Sequence, residues 1–216
     1  MAKTLLQLQT SLAYRMMEDT VPSGTGELLR RKSFINEAYR SIMREHYWWF
    51  TEATDTFNSV AAQASYGTAD GVPTDLRLIL ELRVSDRLYH PLSQDKGMSA
   101  ITTPYNGYSE SFFVFAGSIY FVPPIATSGT DAIAIKYYKT HTELSANTDT
   151  ILIPDIYSDA IVAYAYARTI GGEGERGSSG DGFAEYAEIM KSMREEQNKY
   201  LFAIKSSNNS LEAEYP

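Results

Sequence analysis

Hydrophobic periodicity changes twice along this chain, and that constrains its fold more than any other feature. Near the N-terminal end Leu5, Leu8, Leu12 and Met16 recur at spacings of three and four. That period places them on one face of a helix over about residues 3–19. The run Val21-Pro22-Ser23-Gly24-Thr25-Gly26 interrupts it, and Ser23 or Thr25 can cap the next helix. This second helix is expected over 27–48. Its stripe holds Leu28, Ile35, Tyr39, Ile42, Met43 and His46, with Arg30, Arg31, Lys32, Glu37, Arg40 and Arg44 largely away from it. It exits through the aromatic run Tyr47-Trp48-Trp49-Phe50.

From Thr51 to Tyr138 the helical period is lost. Short β-prone runs separated by Gly, Pro, Asn and Asp predict strands at 54–62, 76–84, 87–92, 111–115, 118–122 and 132–138. In the second of these, alternation puts Leu76, Leu78, Leu80 and Leu82 on one face. Tight turns such as Ala116-Gly117-Ser118 imply antiparallel neighbours. Residues 93–108 read as a polar loop with a helical turn near 94–100. Helical character returns after Ile153-Pro154-Asp155. A third helix over 156–170 is apolar on most sides and is expected to be the most buried. A glycine-rich loop over 171–182 precedes a last helix over 183–204. Its stripe is Phe183, Tyr186, Met190, Met193, Gln197 and Leu201. Residues 205–216 offer few core-forming side chains and are expected to form a flexible tail. The resulting fold class is α+β: a four-helix bundle from the N- and C-terminal helix pairs (1–50 and 152–204), with an inserted antiparallel β-rich subdomain (51–151).

Composition narrows the function. A chain of 216 residues that is 44% hydrophobic can build a real core. It has no cysteine, which removes disulfides, thiolate metal sites and cysteine catalysis. A net charge of −8 argues against gripping a phosphate backbone. It suits solubility, or a channel wall along which DNA slides without sticking. No run of about 18 apolar residues is present to cross a membrane, and the N-terminal stretch lacks the apolar core of a secretion signal. The 16 tyrosines serve either sheet packing or extensive interfaces.

Residues that carry chemistry do not converge. Gly172-Glu173-Gly174-Glu175-Arg176-Gly177 spells GxGxxG. However, it comes after a helix instead of a strand, and its acids would repel a pyrophosphate. His46, His90 and His141 lie in three different elements, without ligand spacing. No GxSxG elbow occurs, and the acids near Asp70 and Asp155 are too sparse for a calcium loop. Asn208-Asn209-Ser210 matches a glycosylation sequon, idle without a secretion signal. Arg30-Arg31-Lys32, the one basic cluster, sits early in a helix where it could touch nucleic acid, but it reads better as a solvated face or an inter-subunit ion pair. The expectation is therefore no catalytic residue, no metal and no cofactor.

Order along the chain supplies a resemblance. A helix pair ends at Trp48, Trp49 and Phe50. Val72-Pro73-Thr74-Asp75-Leu76 leads into a strand, and Gly117-Ser118-Ile119-Tyr120-Phe121-Val122 ends in Pro123-Pro124. Ile135-Lys136-Tyr137-Tyr138 precedes Leu144, Asp149, Pro154 and Tyr157 at the entry to a helix. Over residues 3–204 this series resembles the head-to-tail adaptor (connector) proteins of tailed bacteriophages, including tubular tail proteins. The resemblance implies a structural virion component of the neck or tail, made in the host cytoplasm, and not an enzyme. It implies a homo-oligomeric, twelve-fold ring beneath the portal protein, with the β part toward the next tail or nozzle protein. DNA would pass through without sequence-specific binding. It further implies a C-terminal segment that docks on the portal, here Leu211, Glu212, Glu214 and Tyr215. The alternatives are another neck or tail-completion protein, or a β-rich module that binds a sugar or peptide.

Overall fold

The computed structural model describes residues 2–102, 110–173 and 176–212. In chain order the elements are α1 (Leu5–Arg15), α2 (Thr25–Glu45), β1 (Glu52–Ser59), β2 (Ser65–Tyr66), β3 (Leu76–Val84), β4 (Arg87–Pro91), α3 (Gln94–Thr102), β5 (Ser111–Phe115), β6 (Ser118–Val122), β7 (Gly129–Lys139), α4 (Asp159–Glu173) and α5 (Arg176–Glu212). They fall into two compact units, Met1–Phe50 with His141–Pro216, and Thr51–Thr140.

In the first unit, Thr4 starts α1 through a reciprocal capping box. Its hydroxyl accepts from the Gln7 N–H, and the Gln7 side chain accepts from the Thr4 N–H. Leu5, Leu8 and Leu12 are fully buried. The helix stops short of the expected Asp19, because Met17 turns the chain at φ 59°. Neither Ser23 nor Thr25 caps α2. Gly24 stands at its N-cap without a side-chain bond. Ile35, Tyr39, Ile42 and Met43 form the buried stripe, whereas His46 lies past the helix end and is exposed. Arg31 departs from the expected solvent face and is only 2% exposed. Its guanidinium is held by Glu18 at 2.6 and 2.7 Å and by Glu27, which is how a cation is tolerated there. Those bonds hold the Glu18 carboxyl below the usual range.

Helix α4 is the hub of this unit. It packs against α1, α2 and α5, and Ala160, Ile161, Ala163, Ala165 and Ala167 are fully buried. Its small residues let neighbours approach closely. At Gly182 of α5 an added Cβ would lie 2.9 Å from the Ala167 Cβ and 3.0 Å from the Ala163 carbonyl oxygen. That contact explains a second departure. Residues 171–173 and 176–182, read from glycine content as loop, are helical because α5 lies directly on α4. Residues 174 and 175 fall outside the described set.

The second unit is one seven-stranded sheet in the order β1-β7-β3-β4-β5-β6-β2. Two-residue turns join β3 to β4 at Ser85-Asp86 and β5 to β6 at Ala116-Gly117, all four at positive φ. Such mirror-type turns match the twist of paired strands. Phe57, Tyr66, Leu82, Phe112, Ile119, Phe121, Ile133 and Ile135 make the main core. Residues on the opposite side of β5 and β6, Phe113 and Val122, join Ala100 in a small satellite core beneath α3. Leu78 and Leu80 do not share the buried face of Leu82. Register shifts between Leu76 and Leu78 and between Ile79 and Glu81 break the alternation, leaving both leucines about two-fifths exposed.

The four-helix bundle with an antiparallel insert is thus overturned. The described residues form five helices and a curled mixed sheet, with 46% helix and 25% strand, so the sheet is a second structural half. Two physical causes stand out. The helices do not pack as an N-terminal pair against a C-terminal pair, because the alanine-rich α4 gathers the other three. The excursion through α3 returns the chain in its original direction, so β5 pairs with β4 in parallel, His90 opposite Ser111 and Pro91 opposite Phe112.

Candidate functional site

Among the described residues no chemistry-bearing groups converge. His46 is exposed, with its Nε2 3.4 Å from Glu45 Oε1 and its ring edge-on to Trp48 at 4.9 Å. His141 sits edge-on to Tyr39 at 5.4 Å. His90 belongs to β4 in the other unit. No group of three His, Asp or Glu side chains among the described residues could hold a metal ion. Of the GxGxxG, Gly172 and Glu173 end α4, and Arg176 and Gly177 open α5. No helix of the described residues is long and apolar enough to cross a membrane.

Two open grooves are formed by described residues, and several of their charges pair within the chain. A groove over β1, β7 and β3 is lined by Thr54, Thr56, Glu81, Arg83, Ala134 and Lys136. Glu81 bonds Arg83, and Lys136 meets Glu52 at 2.9 Å. A second groove runs beside Leu144, whose backbone is pinned to α2 by Asn36. The amide donates to the Leu144 carbonyl at 3.0 Å and accepts from its N–H at 2.9 Å. Neither groove offers a nucleophile beside a base.

The geometry that bears on function lies along α5. Its first half is fixed to the unit. Met190 and Met193 are fully buried, and Arg15 and Glu45 form ion pairs with Glu185 and Arg194. Tyr157 donates its hydroxyl to Glu196. A further clamp is Gln197, 4% exposed. Its amide donates to the Tyr47 carbonyl at 3.1 Å and accepts the Trp49 N–H at 2.9 Å. This explains the aromatic exit of α2. Trp48 is fully buried, stacks on Phe50 and donates its indole N–H to the Ile42 carbonyl at 2.7 Å. Trp49 packs edge-on to Tyr157 at 6.2 Å. One turn past Gln197 the character changes. Leu201 is 40% exposed and Phe202 74%, and the helix continues to Glu212.

Of the residues expected to dock on a portal, Leu211 and Glu212 are the last two of α5. Glu214 and Tyr215 lie outside the described residues. The exposed Leu201 and Phe202 escaped the sequence reading, because Leu201 continues the buried stripe and nothing in the pattern marks where the neighbours of α5 end.

No curated protein matches this chain. One family model does, that of the SU10 adaptor protein, over residues 3–208 and hence across both units. The chain therefore belongs to the SU10 adaptor protein family, a family of structural phage adaptors.

Proposed function

We propose that this structural virion protein is a head-to-tail adaptor whose copies form a ring beneath the portal and continue the DNA channel toward the tail. The observation that carries the reading is the family match over residues 3–208, which takes in the helical unit and the sheet unit alike. The form of α5 supports it. At 37 residues it is about 55 Å long, against 15 residues and about 22 Å for α4. A helix that outruns its neighbours and exposes Leu201 and Phe202 is suited to lie on another protein. Leu211, Glu212, Glu214 and Tyr215 are the portal-contacting end of that arm in this reading. The net charge of −8 keeps a channel wall from holding DNA.

The test is electron-microscopic imaging of this protein mixed with the portal protein of its own phage. An added ring of density below the portal is expected. Removing residues 205–216 should abolish the ring while leaving the melting temperature of the free protein unchanged. Portal particles that stay bare with the full-length chain would refute the assignment.

A further inference from the structure

The proposed ring needs two different faces that meet between neighbouring copies, and the charges on α2 and α5 point to which faces these are. Copies of a chain with net charge −8 repel one another in general. Contact therefore requires local complementarity. The outward side of α2 carries Arg30, Ser33, Arg40 and Arg44, with Arg30, Ser33 and Arg44 exposed and the Arg40 side chain 42% exposed beside Glu143 of its own chain at 3.4 Å, an exposed pair that can exchange partners. The outward side of α5 carries Asp181, Ala184, Glu188 and Glu195, all exposed. Glu185 and Glu196 of this helix turn back on their own chain, to Arg15 and Tyr157.

The two faces match in length as well as in sign. Arg30 and Arg44 are 14 positions apart, and so are Asp181 and Glu195, about 21 Å in each helix. Each face also has one residue of the opposite sign, Lys191 on α5 and Glu37 on α2, whose carboxylate already bonds Tyr164 and Arg168 of its own chain and would share that pair with Lys191. Laid antiparallel with Glu37 against Lys191, the helices bring Arg40 opposite Glu188. Arg30 then falls within one turn of Glu195, and Arg44 within one turn of Asp181. Both exceptions are accommodated by a single register.

We infer that the α2 face of one copy docks on the α5 face of the next, antiparallel, and that this contact sets the register of the ring. This rests on the ring reading proposed above. Exposed ion pairs contribute little each and weaken with salt. Such a contact orients copies already gathered on a template and holds free copies together only briefly.

The absence of native cysteine allows a clean test. Ser33→Cys on α2 and Asn198→Cys on α5 are combined in one full-length chain. The concentrated protein is then treated with a flexible bis-maleimide. A ladder of linked oligomers is expected at low salt, with at least a tenfold loss at 1 M NaCl. Arg30→Glu with Arg44→Glu should abolish the ladder, and adding Glu195→Arg with Asp181→Arg to that chain should restore it. Each single-cysteine chain should stay monomeric. No ladder, a ladder indifferent to charge reversal, or efficient dimers from either single cysteine would overturn the inference. Imaging with portal separates the two levels. A normal ring from the Arg30→Glu, Arg44→Glu chain removes this interface and leaves the adaptor reading intact, whereas no ring from the unaltered chain removes both.

Discussion

Asn36→Asp should turn a fixed structural contact into one that depends on pH. Asn36 is 6% exposed, and its amide bridges the Leu144 carbonyl and N–H at 3.0 and 2.9 Å. That bridge ties α2 to the segment leading into α4. A neutral aspartic acid can reproduce both bonds, with its hydroxyl donating to the carbonyl. An ionised one cannot, because a carboxylate oxygen would face a carbonyl oxygen. Leaving a buried group unsatisfied costs about 1–3 kcal/mol, and burial of the charge adds to that. Lys32, one turn away, offsets part of it, so we expect a net cost of about 3 kcal/mol for the ionised form. That corresponds to roughly two pK units. The folded-state pKa of the new acid would then sit near ~6, against ~4 unfolded. A raised folded pKa gives stability that is present below the unfolded pKa and lost as pH rises through the folded one. Unlike the native protein, the variant should therefore lose stability between about pH 4 and pH 6 and level off above that. Urea denaturation at pH 5 and pH 8, run beside the native protein, measures the difference. Asn36→Leu, which orphans both Leu144 groups, should cost about 2–5 kcal/mol at either pH. An Asn36→Asp penalty equal at the two pH values would show that the bridge does not carry the coupling.

Further outcomes concern the cores and the tyrosines. Gly97→Ala would place a Cβ 2.2 Å from the Phe113 ring, so overpacking of about 1–3 kcal/mol should appear in thermal unfolding. Trp48→Ala removes a fully buried indole and its bond to Ile42. A loss of about 3–5 kcal/mol is expected, read by denaturant titration. Burial, with the carboxylates of Glu37 and Glu196 beside them, pushes Tyr164 and Tyr157 up to about 12. Their raised folded pKa contributes stability that is complete below about pH 10 and lost as pH rises through about 12. Absorbance titration should show these two phenolates forming only in that range, and Tyr164→Phe should remove one of them. Early ionisation of all tyrosines with the fold intact would contradict the burial.

The sequence by itself determined the order of helix and strand, because periodicity is a local signal. Expected strands at 76–84, 87–92, 111–115 and 118–122 recur within a residue of their observed ends. Leu5, Leu8, Leu12, Met190 and Met193 are buried on the stripes where spacing placed them. The order of aromatic exit, proline-ended strand and helix entry was enough for the adaptor resemblance, which the family match establishes. Tertiary structure decided what depends on residues far apart in the chain. Arg31 is buried because Glu18 and Glu27 reach it, and its polarity alone pointed to solvent. Gly182 is helical because α4 presents Ala163 and Ala167 to it, whereas glycine content alone reads as loop. The parallel β4–β5 pair comes from the return path after α3, and a strand's own pattern carries no information about its neighbour's direction. Exposure of Leu201 and Phe202 likewise depends on where the partners of α5 end, a length comparison between helices that no single periodic stripe contains.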